Sequence, residues 1–375
     1  MWDILSGMNQ RLLIVLVPLS FVLHAIEADP RAVFLVSLFA IVPLVEVMGI
    51  ATERLSTRLG AVIGGLLNST LSNAPELIIG IVALRNGLGR VVKASLTGSI
   101  MVNLLVGLGC ALVVGGLKYG VHSFDRRQLR SSGLMLVMCG FCFIVPTVFR
   151  IGTPEGTRDL SLELSFILLA IYVGNVSINI FYSCRKAQDA TMQLSKIKDS
   201  YSAGRSFAVL GISGVALAGV SEAVTESLIP ATKTMGFSDT FSGIVLLGGV
   251  GGVGEVLTAI RFARQRQQEL VMAATVGSTI QMVLFVAPLL VFTGQFFGES
   301  MNLSFSMFEV VSIVLAIIVA REIINAGKAT WIEGLMLLAT YCILAIGFYH
   351  LPDAVLARDQ SAAEGSDRTT IRRNK

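Results

Sequence analysis

Long apolar stretches recur along this 375-residue chain, each closed by a short polar interval. Eleven can be delimited, near residues 11–27, 32–52, 60–84, 91–116, 131–149, 163–184, 206–229, 240–261, 270–294, 304–321 and 330–351. About twenty predominantly apolar residues suffice for a helix to cross the hydrocarbon layer of a bilayer. Each stretch therefore predicts one membrane-spanning helix. The first has the look of a secretory leader, but a single early base, Arg11, is set against Asp3, and no small-x-small cleavage site precedes Asp29-Pro30. It is read as a span.

Two polar segments divide the pattern. The basic stretch 185–205 separates five spans from five, and the mixed-charge stretch 352–375 predicts a disordered tail. The expected organisation is an extra N-terminal helix (1–30), a first five-helix half (31–184), a cytoplasmic linker (185–205), a second half (206–351) and the tail (352–375). The fold class is all-α, a polytopic membrane protein of about 11 transmembrane helices.

Composition agrees with a membrane solvent. Hydrophobic residues are 54% of the chain and charged residues only 14%, against roughly a quarter charged in an ordinary soluble domain; mean hydropathy is +0.75. The lipid bilayer is thus the first partner, and the net charge of +4 calls for no nucleic acid. Most of the bases sort by topology. Counting loops from the N-terminal side, seventeen Lys and Arg fall on one face and seven on the other, with five more in the tail. Basic loops stay in the cytoplasm, so the N-terminus is expected inside and, with an odd span count, the C-terminus outside a cell membrane. A homo-oligomer is compatible with this composition.

The five cysteines lie in or at the ends of apolar stretches and outline no disulfide framework. Cys139-Gly140-Phe141-Cys142 has redox-motif spacing, and Gly249 to Gly254 formally matches a dinucleotide fingerprint. Both motifs require a soluble βαβ setting that is absent from the pattern. Small residues for close helix packing are the plainer reading of each.

Chemistry concentrates in an internal repeat. Residues 64–105 match residues 243–284 without gaps at ten of forty-two positions, at an offset of 179. The matches include Glu76 and Glu255, Arg85 and Arg264, and Gly98-Ser99 and Gly277-Ser278. The two glutamates fall five spans apart, so the copies are expected to cross the membrane in opposite directions, an inverted-topology repeat. A carboxylate inside an apolar span is costly and marks an ion or proton pathway by default. For Glu46, Glu53, Glu222 and Glu226 a protonated packing residue or a helix–helix hydrogen bond is an equal reading, and the pairs Thr52-Glu53 and Thr225-Glu226 are placed nearer an entrance, where snorkelling is easy.

The motif spans are also expected to be broken. Pro75 lacks an N–H and deprives the Leu71 carbonyl of its helical partner, while Gly248, Gly249, Gly251, Gly252 and Gly254 weaken the second copy in the same place. Freed carbonyls at membrane depth need protein, water or an ion, and hard cations take oxygen ligands. Helical spacing would set Ser72 and Asn73 on the face of Glu76. Ser99 with Asn103, and Ser278 with Gln281, supply further oxygens on the following spans. The candidate cation-binding set is Glu76, Glu255, Asn73, Ser72, Ser99, Asn103, Ser278 and Gln281. No cofactor is expected; the transported cation and protons are the small partners. An enzyme is not expected, since His24, His122 and His350 lie outside these motifs.

The stretch Gly64 to Ile79, with Ser72-Asn73-Ala74-Pro75-Glu76 at its centre, continued by Lys93 to Ile100, resembles the first signature of the cation/proton exchanger (CAX) family of Ca²⁺/H⁺ antiporters. Val220-Ser221-Glu222, Gly243 to Glu255 and Val276 to Pro288 are similar to the second. The resemblance implies ten core helices in two inverted halves, with the motif glutamates carrying metal or protons and Asn73, Ser99, Ser278 and Gln281 supporting the pathway. The chain departs from the family's Gly-Asn-Ala-Ala-Glu-His by having Gly252 at the Asn and Val256 at the His. The expected function is a secondary antiporter exporting a cation, Ca²⁺ first and Na⁺ as runner-up, against protons by alternating access. A transport-inactive membrane interaction protein is the alternative of another class.

Overall fold

The computed structural model describes residues 14–59, 64, 67, 70–123, 126–148, 154–189, 203–298 and 301–351, and these are almost wholly helical. Helix α1 (Leu16–Ala25) leads into α2 (Pro30–Arg58). Asp29 caps α2 by accepting from the Arg31 backbone N–H at 2.8 Å, and Pro30 occupies the first turn, where its missing N–H costs nothing. After the described residues 64, 67 and 70–73 comes α3 (Ala74–Arg85), then α4 (Gly89–Tyr119), α5 (Arg126–Val148) and α6 (Pro154–Asp189). The second half holds α7 (Ala203–Met235), α8 (Asp239–Gly251), α9 (Val253–Arg264), α10 (Gln268–Phe297), α11 (Met307–Ala326) and α12 (Trp331–Tyr349).

Among the described residues seven helices are long and apolar enough to cross a membrane, or up to eight if the bent pair α8 and α9 counts as one span. Eleven were expected, and the shortfall has local causes. Much of the predicted span 60–84 lies outside the described residues, so α3 stands as a twelve-residue helix. Helix α11 carries Glu309, Arg321 and Glu322, and α1 is ten residues long. The segment 190–202 and the tail 352–375 lie outside the described residues. Helix α6 runs on to Asp189 and α7 starts at Ala203, so helix occupies both ends of the expected linker.

Two apolar clusters organise the packing. In one, Phe34, Leu38 and Ile41 of α2 meet Leu217, Val220 and Val224 of α7. A buried Ser20–Ser37 hydrogen bond of 2.6 Å ties α1 to the same pair. The larger cluster joins α4, α5, α6, α10 and α11 around residues such as Leu104, Leu108, Phe143, Val283 and Ile313. Between the two regions α4 crosses α8 backbone to backbone. A Cβ on Gly98 would lie 2.0 Å from the Ile244 carbonyl oxygen, and one on Gly248 would lie 2.7 Å from the Gly98 Cα. Within the run that imitates a nucleotide fingerprint, a Cβ on Gly252 would lie 2.9 Å from Val102 Cγ1 and one on Gly254 2.7 Å from Val45 Cγ1, whereas Gly249 has nothing within 4 Å, so only part of the run serves close helix packing.

Several charges sit where the loop count did not put them. Lys93 is buried in α4, and its Nζ donates to Asn302 Oδ1 at 2.6 Å and to the Ser304 carbonyl at 2.9 Å. With Ser161 and Thr147 accepting from the Leu303 and Phe305 N–H groups, it satisfies the backbone of the buried, non-helical segment 301–306. Glu309 and Glu333 close capping boxes with Ser306 and Thr330. The repeated Arg85 and Arg264 are each the last residue of a half-helix, where a cation complements the helix dipole. A two-residue antiparallel pair, β1 (His122–Ser123) with β2 (Lys328–Ala329), links the end of α4 to the turn before α12.

Candidate cation site

The chain breaks its helices at the two motif glutamates in the same way. Residues 72 and 73 form a turn, Pro75 falls in the first turn of α3, and Glu76 follows it. In the second copy α8 stops at Gly251, α9 starts at Val253, and the two are bent by 46°. Asn73 (φ −100, ψ 14) and Gly252 (φ −81, ψ 3) begin their half-helices with nearly the same backbone. Each half-helix has twelve residues and carries its glutamate in the first turn, where helix dipoles favour negative charge.

Both carboxylates are inside the protein, Glu76 at 7% and Glu255 at 9% exposure. Neither Glu76 oxygen has a protein hydrogen-bond partner, and Glu255 Oε2 and Asn103 Oδ1 also have none. The two glutamates are near enough to interact electrostatically, and a Cβ on Gly251 would lie 3.9 Å from Glu76 Cγ and 3.3 Å from Ser99 Oγ. A small cavity adjoins Glu76, with Gly80, Ser95, Ser99, Leu247 and Leu290 in its wall. Buried acceptors with no donors are costly unless something else meets them.

Around the carboxylates runs a polar chain linking the two halves. Asn73 Nδ2 donates to Gln281 Oε1 at 2.7 Å, and Ser72 Oγ donates to the same oxygen at 3.2 Å. Ser278 Oγ donates to Asn73 Oδ1 at 3.2 Å, and Asn103 Nδ2 to Ser278 Oγ at 3.4 Å. Ser99 Oγ lies 3.4 Å from the Gly248 carbonyl, to which it donates. All eight residues singled out from the sequence thus lie on the two helix breaks or on the α4 and α10 segments facing them. One detail is corrected. Ser72 and Asn73 do not continue the helical face of Glu76, because the helix is interrupted there, and their side chains reach across to α10 instead.

The repeat is visible in the contacts themselves. Shifting each residue of the Asn73–Gln281 pair by 179 exchanges it for Gly252 and Val102, and a Cβ at Gly252 would meet Val102 Cγ1 at 2.9 Å. Around this point α4 widens to a π-helical stretch over Val102–Gly107 and α10 does so over Ala273–Gly277 and Met282–Val286. Such widenings in helices gather at functional sites.

Of the remaining acids, Glu46 pairs with Arg261 at 3.7 Å, and Glu226 meets His24 at 3.4 Å. Glu53 is exposed and Glu222 half-buried. Lys93 escaped the sequence reading because a lysine near a span end looks like a loop base. The capping boxes were legible as Ser306…Glu309 and Thr330…Glu333, three residues apart ahead of apolar runs.

The chain matches the family model described as sodium/calcium exchanger protein over residues 31–181 and 205–349. It is 33% identical over 363 residues to a Ca²⁺/H⁺ antiporter of Aphanothece halophytica, covering 91% of this chain and 96% of that protein. Against the Ca²⁺/H⁺ antiporter ChaA of Bacillus subtilis it is 35% identical over 339 residues, covering 89% and 97%. The solved structure of native YfkE superposes with a TM-score of 0.80 at 34% identity, covering 91% of this chain and all of that one. An H⁺/Ca²⁺ exchanger CAX shares the fold, with a TM-score of 0.68 at 16% identity over 98% of each chain. By the span of the family match and by these full-length relatives, the chain is an integral membrane protein that belongs to the sodium/calcium exchanger family.

Proposed function

We propose that the chain is a secondary transporter exchanging Ca²⁺ for protons, with Glu76 and Glu255 as the carboxylates that take up either one. The observation that carries this is the pair of buried, mutually interacting glutamates, in which both oxygens of Glu76 and Oε2 of Glu255 lack protein donors. Two such charges at low dielectric cannot both stay ionised and unpaired. A divalent cation satisfies both, and protons satisfy both. Exclusion of one by the other couples the two fluxes. Full-length relatives are Ca²⁺/H⁺ antiporters, which favours Ca²⁺ over the Na⁺ runner-up and transport over an inactive scaffold.

The repeat supports alternating access. At the offset of 179 the helix pairs α3 and α9, α5 and α11, and α6 and α12 start within a few residues of one another. We read this as two inverted five-helix halves with α1 extra, eleven spans in all, and the candidate site between the halves. The N-terminus is then cytoplasmic and the C-terminus external; a reporter fused after Lys375 and active inside the cell would exclude that. Ser72, Asn73, Ser278 and Gln281 hold the broken ends, while Ser99 and Asn103 bring oxygens toward the carboxylates. Rocking of the α2–α7 pair against the rest would expose the site to either side.

Reconstitution in liposomes holding an interior pH dye tests the reading. Ca²⁺ added outside should drive protons out of the vesicle, whereas Na⁺ or K⁺ at the same concentration should not. Absence of any cation-dependent proton movement would end it.

A further inference from the structure

We propose that Val102 is a positioning residue for Glu255: it holds the start of the second half-helix by contact at Gly252, where Gln281 holds the first by hydrogen bonding to Asn73. The inference rests on the exchange reading above and concerns how its site is kept in shape.

Gly252 is not required by its backbone. At φ −81 and ψ 3 it has a conformation open to any residue, and Asn73 at the equivalent position has nearly the same one. What forbids a side chain is the space. A Cβ at 252 would lie 2.9 Å from Val102 Cγ1, 3.4 Å from Val102 Cβ and 3.2 Å from Asn103 Oδ1. Val102 is itself buried at 3% exposure in the widened part of α4, so it cannot swing clear. Residues 252 and 102 are the counterparts of 73 and 281. The first pair is amide to amide at 2.7 Å; the second is valine against glycine.

The two ends of the site are therefore held by different forces. Asn73 commits its amide to Gln281 and its oxygen to Ser278. On the other side no side chain at 252 competes for Asn103 Oδ1 or Glu255 Oε2, and both stay without protein donors. Contact with Val102 replaces the missing hydrogen bonds in fixing where α9 begins, and through it where Glu255 points. An asparagine at 252 alone is then a clash, and a glutamine at 102 alone is an amide facing nothing. Together they would rebuild the first copy's clamp in the second.

The test is Ca²⁺-driven proton flux in liposomes for Gly252→Asn, for Gly252→Asn with Val102→Gln, for Gly252→Asn with Val102→Leu, and for Val102→Ala. Gly252→Asn should raise the Ca²⁺ KM by about tenfold or more, as overpacking of a tight contact does. Adding Val102→Gln should return KM to within about threefold of wild type, as restored hydrogen bonding allows, and adding Val102→Leu should not. Wild-type KM for Gly252→Asn, or equal rescue by Leu and Gln, would overturn the proposal. Should the 252 variants fail to fold, Val102→Ala decides: it should raise KM several-fold at unchanged maximal rate, and a wild-type KM refutes the role. Glu255→Gln serves as the separate control. Exchange surviving in that variant would bring down the exchange reading itself, whatever Val102 does.

Discussion

Glu46 of α2 and Arg261 of α9 form an ion pair of 3.7 Å, with the glutamate largely shielded and the arginine nearly half exposed. One residue earlier on α2, Val45 packs where a Cβ on Gly254 would lie, 2.7 Å from its Cγ1, directly beside Glu255. Helix α2 thus grips the second motif through one charge pair and one close contact. If α2 and α7 move together during transport, this grip has to open once per cycle. Glu46→Gln and Arg261→Gln should each change the exchange rate several-fold and cost roughly 1 kcal/mol of stability, since the arginine is well screened. The exchanged pair, Glu46→Arg with Arg261→Glu, should recover most of the rate. Failure of the exchanged pair to do better than either single variant would show that the ion pair is incidental.

Glu76→Gln and Glu255→Gln should each reduce Ca²⁺/H⁺ exchange to the background of empty vesicles while the protein still inserts and purifies as a folded species. Glutamine keeps the volume and removes the charge. Both oxygens of Glu76 and Oε2 of Glu255 have no protein hydrogen-bond partner, so removing the charge there strands no donor, and a buried amide in place of a buried charge costs little. Thermal stability in detergent should accordingly stay the same or rise. A variant that exchanges at the wild-type rate would remove its glutamate from the coupling step.

Protons and cation should compete. With both using the same carboxylates, apparent Ca²⁺ affinity weakens as pH falls, and the loss appears in KM before it appears in the maximal rate. The surface carboxylate at the start of α2 will not contribute: hydrogen bonding from the Arg31 side chain holds Asp29 at about 2, below its ordinary 3.8. A folded value that low means its cap is fully charged over the working range and is lost only as the pH drops toward that value. Ca²⁺ KM independent of pH over roughly 5.5 to 8.5 would refute shared binding.

The site was legible because its chemistry is expensive. Carboxylates inside apolar sequence stand out, and the offset of 179 ties Glu76 to Glu255 without any structure. Proline and glycine marked the broken helices for the same reason, since a backbone interruption has a local cause. What stayed hidden depends on partners distant in sequence. Lys93 looked like a loop base and is held inside by Asn302 and Ser304, more than two hundred residues away. Helical spacing misplaces Asn73 because it is carried across the very break that Pro75 marks, and the turn at 72–73 aims the side chain at α10 instead. Val102 carries no chemical signal at all; only its contact with Gly252 reveals it.

The crossing of α4 and α8 yields the last prediction. A Cβ on Gly98 would lie 2.0 Å from the Ile244 carbonyl oxygen and 2.7 Å from its carbon, both backbone atoms that no rotamer change can move. Gly98→Ala should therefore push α4 and α8 apart, costing about 3 kcal/mol or more, at a point one residue before Ser99. Gly49 in α2 has nothing within 4 Å of an added Cβ, so Gly49→Ala is the matched control and should be neutral or slightly stabilising through its better helix propensity. Melting temperatures of the two variants in detergent compare them directly. If Gly98→Ala melts like Gly49→Ala, the two helices do not cross as closely as this packing requires, and Ser99 loses its reason for lying against the Gly248 carbonyl.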